Sequence, residues 1–386
     1  MERVEAYIVA ARRTAMGRVG GLHRARRLEA LTTPVLAAVL KDAGLTPTQV
    51  DEVIVGSTGN HGNPARMIAL AAGLPEDVPA YSIDQQCASG FEAIMSAVRK
   101  VASGERNVII AGGADSPSTA PWRIAKPPSL YHMPQFIAAR PTIESAEEGE
   151  WPQLFAAAEA MARDLAITRA AQDQATLEAH QRITYARTTG RFDDEIVPLK
   201  TSDDERRDQA VGELSREALE EFDPLLPPEG TLTIGNTAHA HDGAALTAIV
   251  SRDIFEGLGR PPALQVIAHA ALGVPPGQEA AAPMAAMERL SRAWNGFDCA
   301  DVAQVELAET SSAQAIAFGQ AFAFDETRLN PDGGAVVRGH PQGAAGAVLI
   351  TRLFSGLARG QRDARYGIAA QGALGGLGMA ALFEAV

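Results

Sequence analysis

The chain is poor in cysteine, in aromatic residues and in positive charge, and it contains no long apolar run. Each shortage excludes something. Two cysteines, Cys87 and Cys299, in 386 residues give no disulfide framework, and a reducing cytoplasm is the natural setting. No apolar stretch approaches the length of a membrane span, and Met1–Ala6 lacks the charged-then-apolar form of a secretory signal. With 34 Lys and Arg against 47 Asp and Glu, the formal net charge is −13. That balance argues against non-specific nucleic-acid binding, which needs a basic footprint. It leaves room for an anionic small ligand, because Arg24, Arg26 and Arg27, and again Arg206 and Arg207, make local basic groups that otherwise read as solvated surface. Aromatics are only 5% of the chain, while Ala is abundant and Gly reaches 36 residues, a mix that suits closely packed α/β layers. The length allows two or three domains, or one large duplicated fold.

Strand-like and helix-like segments alternate from the start. Val4–Val9, Glu52–Gly56, Ala80–Ile83 and Asn107–Gly113 read as strands, and Leu28–Ala43, Pro64–Ala72 and Phe91–Ala102 as helices. Such alternation implies a sheet with helices on its faces. It breaks near Ser116, where seven prolines between Pro117 and Pro152 oppose regular structure. A helix-like stretch follows from Leu154 to about Thr188, then a strand signal at Ile196–Leu199 and a charged loop at Ser202–Arg207, as in an insertion laid over the sheet. The α/β pattern resumes with strands at Ala244–Ser251, Pro262–His269, Val302–Leu307, Tyr366–Ala370 and Met379–Glu384. Helices are expected within Pro275–Trp294, at Ser312–Phe322 and at Gly343–Arg359. Residues 79–102 echo 302–322, and 107–113 echo 366–376, which points to a duplicated core.

Cys87 stands at a strand-to-helix corner, after Pro79–Ile83 and before the apolar spacing of Phe91–Val98. First-turn N–H groups and the helix dipole favour a thiolate there, and Ala88, Ser89 and Gly90 leave room for a carbonyl to approach. The alternative is an inert buried thiol. His340 lies between glycines in Arg338-Gly339-His340-Pro341-Gln342-Gly343-Ala344-Ala345-Gly346, on a turn leading into a helix. An imidazole in that position can take a proton from a nearby thiol or donate to a developing oxyanion, or it can be simple surface polarity.

Cys87 in Cys-Ala-Ser-Gly and His340 in Gly-His-Pro-x-Gly-Ala-x-Gly resemble the thiolases. The resemblance covers nearly the whole chain. Asn63-Pro64-Ala65-Arg66, Ala111–Ser116, Phe192–Pro198, Gly235-Asn236, Asp242-Gly243-Ala244 and Pro331–Ala335 follow in family order. It implies a five-layer αβαβα fold of two similar halves with an inserted loop domain. The halves would be residues 1–117 with 244–270, and 271–386, and the coenzyme A-binding insertion 118–243. It also implies acyl transfer through a thioester on Cys87, coupled to making or breaking a carbon–carbon bond as in 3-ketoacyl-CoA chemistry. His340 would activate Cys87. The Cys87 N–H, with an N–H of the Gly372–Gly376 loop, would form an oxyanion site. Ala238, Leu374, Gly375 and Arg206 would contact the substrate. No cofactor would be held permanently, the coenzyme A thioester being the substrate. The assembly would be a homodimer or homotetramer, with an accessory protein left open.

Two departures bear on the chemistry. Where thiolases carry a second cysteine in a Cys-x-Gly motif, this chain has Gly372, and where they carry the Asn of Asn-Glu-Ala-Phe it has Ala308. Acylation of Cys87 survives these changes, but the proton transfer of the carbon–carbon step needs a substitute. His239 and His241, in Thr237-Ala238-His239-Ala240-His241-Asp242, and Glu309 are the candidates. A zinc reading of His-x-His lacks a third ligand. Three functions stay open: an atypical acyltransferase, a catalytically impaired subunit that binds acyl-CoA or supports a partner chain, and an orthodox degradative thiolase with relocated proton transfer. Cys299 is expected to have no role. Trp122 and Trp151 flank the proline-rich segment and are candidates for an acyl pocket.

Overall fold

A computed structural model describes residues 5–59, 62–127, 129, 131–137, 153–199, 206–209, 214–275, 277–294, 298–362 and 364–386. The first run of elements is β1 (Ala6–Arg13), β2 (Gly17–Arg18), α1 (Leu28–Ala43), β3 (Glu52–Gly56), α2 (Pro64–Ala71), β4 (Ala80–Ile83), α3 (Ser89–Ala102) and β5 (Val108–Asp115). Next come β6 (Arg123–Ala125), β7 (Gln135–Ile137), α4 (Gln153–Asp164), α5 (Arg169–Thr188) and α6 (Arg216–Glu220). The chain then returns through β8 (His241–Ser251), α7 (Arg252–Gly257), β9 (Leu264–Gly273), α8 (Ala282–Ala293), β10 (Val302–Ala308) and α9 (Ser312–Phe322). It closes with α10 (Ala335–Arg338), α11 (Ala345–Leu353), β11 (Tyr366–Ala373) and β12 (Leu377–Ala385).

Strand alternation sorts the side chains into layers. In β1, Ala6 and Ile8 join one apolar cluster, and Tyr7 and Val9 another. The first cluster is central. It joins α3 (Phe91, Ile94, Met95, Val98) to α11 (Val348, Leu349, Ile350) and to the inner faces of β8, β11 and β12. The second lies outside the first half, under α1 and α2. A third lies outside the second half, where Met287 and Leu290 of α8 and Phe318 of α9 meet Ile368, Ala370, Ala380 and Leu382. Helix, sheet, helix, sheet, helix is the five-layer order expected, and the buried apolar faces on both sides of each sheet explain the near-continuous hydrophobic strands.

The strands run β10-β11-β12-β9-β1-β8-β5-β3-β4, with β2 attached to β8. The two halves join edge to edge where Tyr7 pairs with Gln265 and Ile8 with Leu264. Each half repeats one pattern. β1–β8 and β8–β5 are antiparallel, and β5–β3 and β3–β4 parallel. Likewise β9–β12 and β12–β11 are antiparallel, and β11–β10 parallel. The place of β4 is taken in the second half by a parallel bridge from Val305 to Leu329. This register corrects the expected echo. Residues 79–102, which are β4 and α3, match the chain from Leu329 through α11 rather than 302–322, whereas 107–113 does match the β11 region. Cys87 and His340 therefore precede topologically equivalent helices, α3 and α11, which pack against each other between the sheets.

The long helix expected over 154–188 is two helices. Ala166 adopts a left-handed conformation (φ 54°), Ile167 N–H returns to the Ala162 carbonyl at 2.7 Å, and the Thr168 hydroxyl accepts from Ala171 N–H to start α5. The strand signal at Ile196–Leu199 is reduced to one bridge between Arg13 and Ile196. The expected loop at 202–207 and the proline-rich stretch fall partly outside the described residues. β5 and β8 are adjacent and antiparallel, so everything from Ser116 to Ala240 is an excursion between neighbouring strands.

Buried charges clamp that excursion to the core. Glu195 lies between Arg13 of β1 (2.8 Å) and Arg352 of α11, and Arg13 also pairs with Asp208 at 2.6 Å. Burial alone would raise the Glu195 carboxyl, but Arg352 and Arg13 reverse this and hold it below the ordinary value. Asp208 is likewise desolvated and likewise held down, chiefly by Arg13. The Phe192 ring lies under both guanidinium groups, at 5.4 and 4.9 Å.

Candidate active site

The turn between β4 and α3 is built to present Cys87. Gln86 takes a left-handed conformation (φ 54°), an uncommon one for a residue with a side chain. The Asp84 carboxylate accepts from Gln86 N–H at 2.9 Å, and the Ser89 hydroxyl accepts from Gln85 N–H at 2.8 Å while donating to the Gln86 carbonyl at 2.5 Å. Cys87 is thus fixed two residues ahead of the first helical residue, and its carbonyl accepts from Gln371 Nε2 of β11 at 2.5 Å. Gln371 is fully buried, and no motif singled it out in the sequence.

His340 is held from two sides. Its N–H donates to the His239 carbonyl at 2.9 Å, and its carbonyl accepts from His241 N–H at 3.0 Å. The preceding Gly339 has φ 105°, and a Cβ there would fall 2.5 Å from the His241 ring. Beyond His340, Gly343 N–H donates to the Asp115 carboxylate at 2.7 Å. Asp115 also accepts from the Ser57 and Thr58 hydroxyls and from Thr58 N–H. Burial raises the Asp115 carboxyl, and these donors oppose the rise. A Cβ on Gly113 would lie 2.2 Å from the Gly343 carbonyl oxygen, so the histidine turn can sit on β5 only because that residue has no side chain.

These two turns open onto one cavity of about 390 Å³. Of the residues expected at the site, Cys87, His340, His239, Ala238 and Leu374 line it, and Gly372 forms part of the wall. His239 Nε2–H donates to the Ile234 carbonyl at 2.6 Å.

The other expected residues lie elsewhere. The His241 ring is buried beneath Gly339, with Nδ1–H donating to the His239 carbonyl at 2.9 Å, and burial lowers its affinity for a second proton. It supports the turn and does not face the thiol cavity. Glu309 has 3% exposure, and its carboxylate accepts from Asn330 Nδ2 (2.8 Å) and Val336 N–H (3.1 Å). Burial raises its carboxyl, and it braces α10 behind the histidine turn beside a different cavity. Gly375 is in the β11–β12 turn with φ 83° and does not line the thiol cavity. Arg206 is exposed, in a depression shared with Arg187 and Arg207. Trp122 is 86% exposed and packs edge-on against Phe136, away from the cavity, and Trp151 lies outside the described residues. Cys299 packs beside the outer cluster of the second half, where burial raises its thiol.

Phe155, Glu279 and Gln314, all in the wall, escaped sequence reasoning. Phe155 comes from the excursion, and only tertiary packing places it there. Glu279 is a lone carboxylate in Pro275–Ala282, and nothing in its spacing marks it. Among the described residues no cluster of three His, Cys, Asp or Glu could hold a metal ion, and no helix is long and apolar enough to cross a membrane.

A duplicated five-layer α/β core, with a cysteine from one half and a histidine from the other on one cavity, defines the thiolase class. The family description "Thiolase, N-terminal domain" matches residues 6–253 and "Thiolase, C-terminal domain" residues 260–385. The chain belongs to the thiolase family. It is 37% identical over 382 residues to "Putative acetyl-CoA C-acetyltransferase VraB" of Staphylococcus epidermidis, covering 98% of this chain and 97% of that one. It is 33% identical over 384 residues to the protein of the same name from Staphylococcus aureus, covering 98% and 99%. The crystal structure of the Bacillus anthracis acetyl-CoA acetyltransferase superposes with a TM-score of 0.89 at 29% identity, covering 100% of this chain and 99% of that one.

Proposed function

We propose that the protein is a thiolase-type acyltransferase that forms an acyl-enzyme on Cys87 from an acyl-CoA thioester. It then passes the acyl group to the α-carbon of a second acyl-CoA, or runs the same step in reverse on a 3-ketoacyl-CoA. The observation that carries this reading is that Cys87 and His340, from opposite halves, line one cavity. The names of the relatives agree with it.

Each residue has a part in the chemistry. The start of α3 favours a thiolate at Cys87. That thiolate attacks the thioester carbonyl, a carbon–sulfur bond to Cys87 forms, and the bond to coenzyme A sulfur breaks. His340, having taken the Cys87 proton, returns it to the departing thiolate. The Cys87 N–H, with an N–H of the Gly372–Gly376 loop, would receive the oxyanion. Gln371 and Asp115 act on position alone, one through the Cys87 carbonyl and the other through Gly343.

The test is intact-mass analysis after mixing with acetyl-CoA. An acetyl adduct that maps to Cys87 and is lost in Cys87→Ala is the expected result. No adduct with any acyl-CoA would leave a thiolase-fold subunit that binds rather than reacts.

A further inference from the structure

We propose that Glu279 is the proton-transfer group of the carbon–carbon step, a proposal that rests on the acyl-enzyme reading above. Among the described residues, four titratable ones line the thiol cavity: Cys87, His239, Glu279 and His340. Cys87 carries the acyl group and His340 serves the departing coenzyme A. Glu279 has 1% exposure, and neither carboxylate oxygen has a hydrogen-bond partner among the described residues. Burying a carboxylate without a donor is among the costlier things a fold can do. Such a group is retained where a ligand completes it or where its proton is used.

The surroundings hold Glu279 in place. It opens the turn Glu279–Ala281 immediately before α8. Gln314 Nε2 donates to the neighbouring Ala280 carbonyl at 2.7 Å, and Gln314 Oε1 accepts from Thr310 N–H at 2.9 Å. Ala157 and Ala158 of α4 share an apolar cluster with Ala280. The β11–β12 hairpin closes the other side. A Cβ built on Gly372 would meet Pro283 Cδ at 3.1 Å and the Glu279 carbonyl oxygen at 3.5 Å. The wall at Gly372, which offers no titratable atom, is therefore shared with Glu279. His239, the competing base, donates through Nε2 to the Ile234 carbonyl, which leaves Nδ1 as its basic nitrogen, and its ring is only half-buried.

In the condensing direction the Glu279 carboxylate takes a proton from the α-carbon of the second acyl-CoA. The carbon–hydrogen electron pair forms the new carbon–carbon bond to the Cys87-bound carbonyl. The tetrahedral adduct collapses, the bond to Cys87 sulfur breaks, and 3-ketoacyl-CoA leaves. Glu279 then holds one proton and Cys87 is again a thiolate. Passing that proton through solvent to His340 restores the starting state, with the balance of two acyl-CoA giving one 3-ketoacyl-CoA and one coenzyme A.

The experiment follows two signals with acetyl-CoA as the probe: mass of the Cys87 adduct, and exchange of the acetyl methyl hydrogens in D2O by NMR. Glu279→Gln is expected to acylate within about threefold of wild type and to lose about 10²–10⁴ in methyl exchange and in acetoacetyl-CoA formation. Retained acylation also certifies a folded cavity. Should the Gln variant fail to fold, Glu279→Asp takes its place, with full acylation and slowed exchange expected. Wild-type exchange in either variant overturns the proposal, as does loss of exchange in His239→Ala with none in Glu279→Gln. A wild-type protein that never acylates at Cys87 overturns the acyl-enzyme reading and this one together. Acylation with unchanged exchange overturns this one alone.

Discussion

A few residues do work here that their chemistry does not announce. His241 was a candidate base, yet its ring is a support under Gly339, and the imidazole that reaches the cavity is its neighbour His239. Residues two apart in an extended strand share a face, so alternation alone does not separate the two rings. His241 opens β8 and is enclosed beneath Gly339, whereas His239 precedes the strand, on the segment that lines the cavity. Gly339 is the sensitive point of the arrangement. At φ 105° a side chain is strained, and its Cβ would collide with His241. Gly339→Ala is expected to cost about 1–3 kcal/mol from backbone strain alone and to slow acylation of Cys87 by displacing His340. Urea denaturation and a stopped-flow acylation assay check the two effects. Wild-type acylation in a stable Gly339→Ala protein would mean that the turn does not set the imidazole.

At the scale of elements, most of the first half was legible. Leu28–Ala43, Glu52–Gly56 and Ala80–Ile83 were read with the observed bounds, because apolar spacing and flanking Gly or Pro mark these segments locally. The α4–α5 break is not legible in the sequence, because Ala-rich helical spacing runs on through it and the decisive features, a left-handed Ala166 and a Thr168 cap, carry little local signal. The echo was misaligned for a different reason. Its match rested on strand-then-helix likeness, whereas equivalence is set by neighbours in the sheet, and the counterpart of β4 is a lone bridge at Leu329. The true alignment matters, since it makes the helices behind Cys87 and His340 structural twins. Their approach depends on β5 passing under the histidine turn. Gly113→Ala puts a methyl group 2.2 Å from the Gly343 carbonyl and is expected to cost about 1–3 kcal/mol by overpacking, with Cys87 acylation reduced. A protein of unchanged stability and rate would show that the turn has slack.

For the molecule as a whole, the buried charges govern acid stability. Glu195 and Asp208 are held below their ordinary values, so the folded form binds fewer protons there than the unfolded form as pH nears about 4. Their contribution is complete above the ordinary carboxylate range and is lost as pH falls through their folded values. Asp115, Glu306 and Glu309 are raised by burial and act with the opposite sign, so the comparison must be between proteins. Glu195→Gln is expected to be less stable at pH 7, because Arg13 and Arg352 lose a buried partner, with a loss of about 3–5 kcal/mol. It is also expected to have a shallower fall of stability between about pH 5 and pH 3. Denaturation midpoints across that range give both numbers, and a slope equal to wild type would remove Glu195 from the acid response.

The sequence by itself determined the layered α/β class, the order of most elements, the thiolase resemblance and the two residues, Cys87 and His340, on which the proposed chemistry turns. These are local matters of periodicity, turn residues and motif. Only the tertiary structure decided which other groups share their cavity. It withdrew His241 and Glu309 into the supports of the histidine turn and brought forward Glu279 and Phe155. A cavity wall is assembled from segments far apart in the chain, and whether a carboxylate there is satisfied or left without a donor depends on neighbours that no single segment contains.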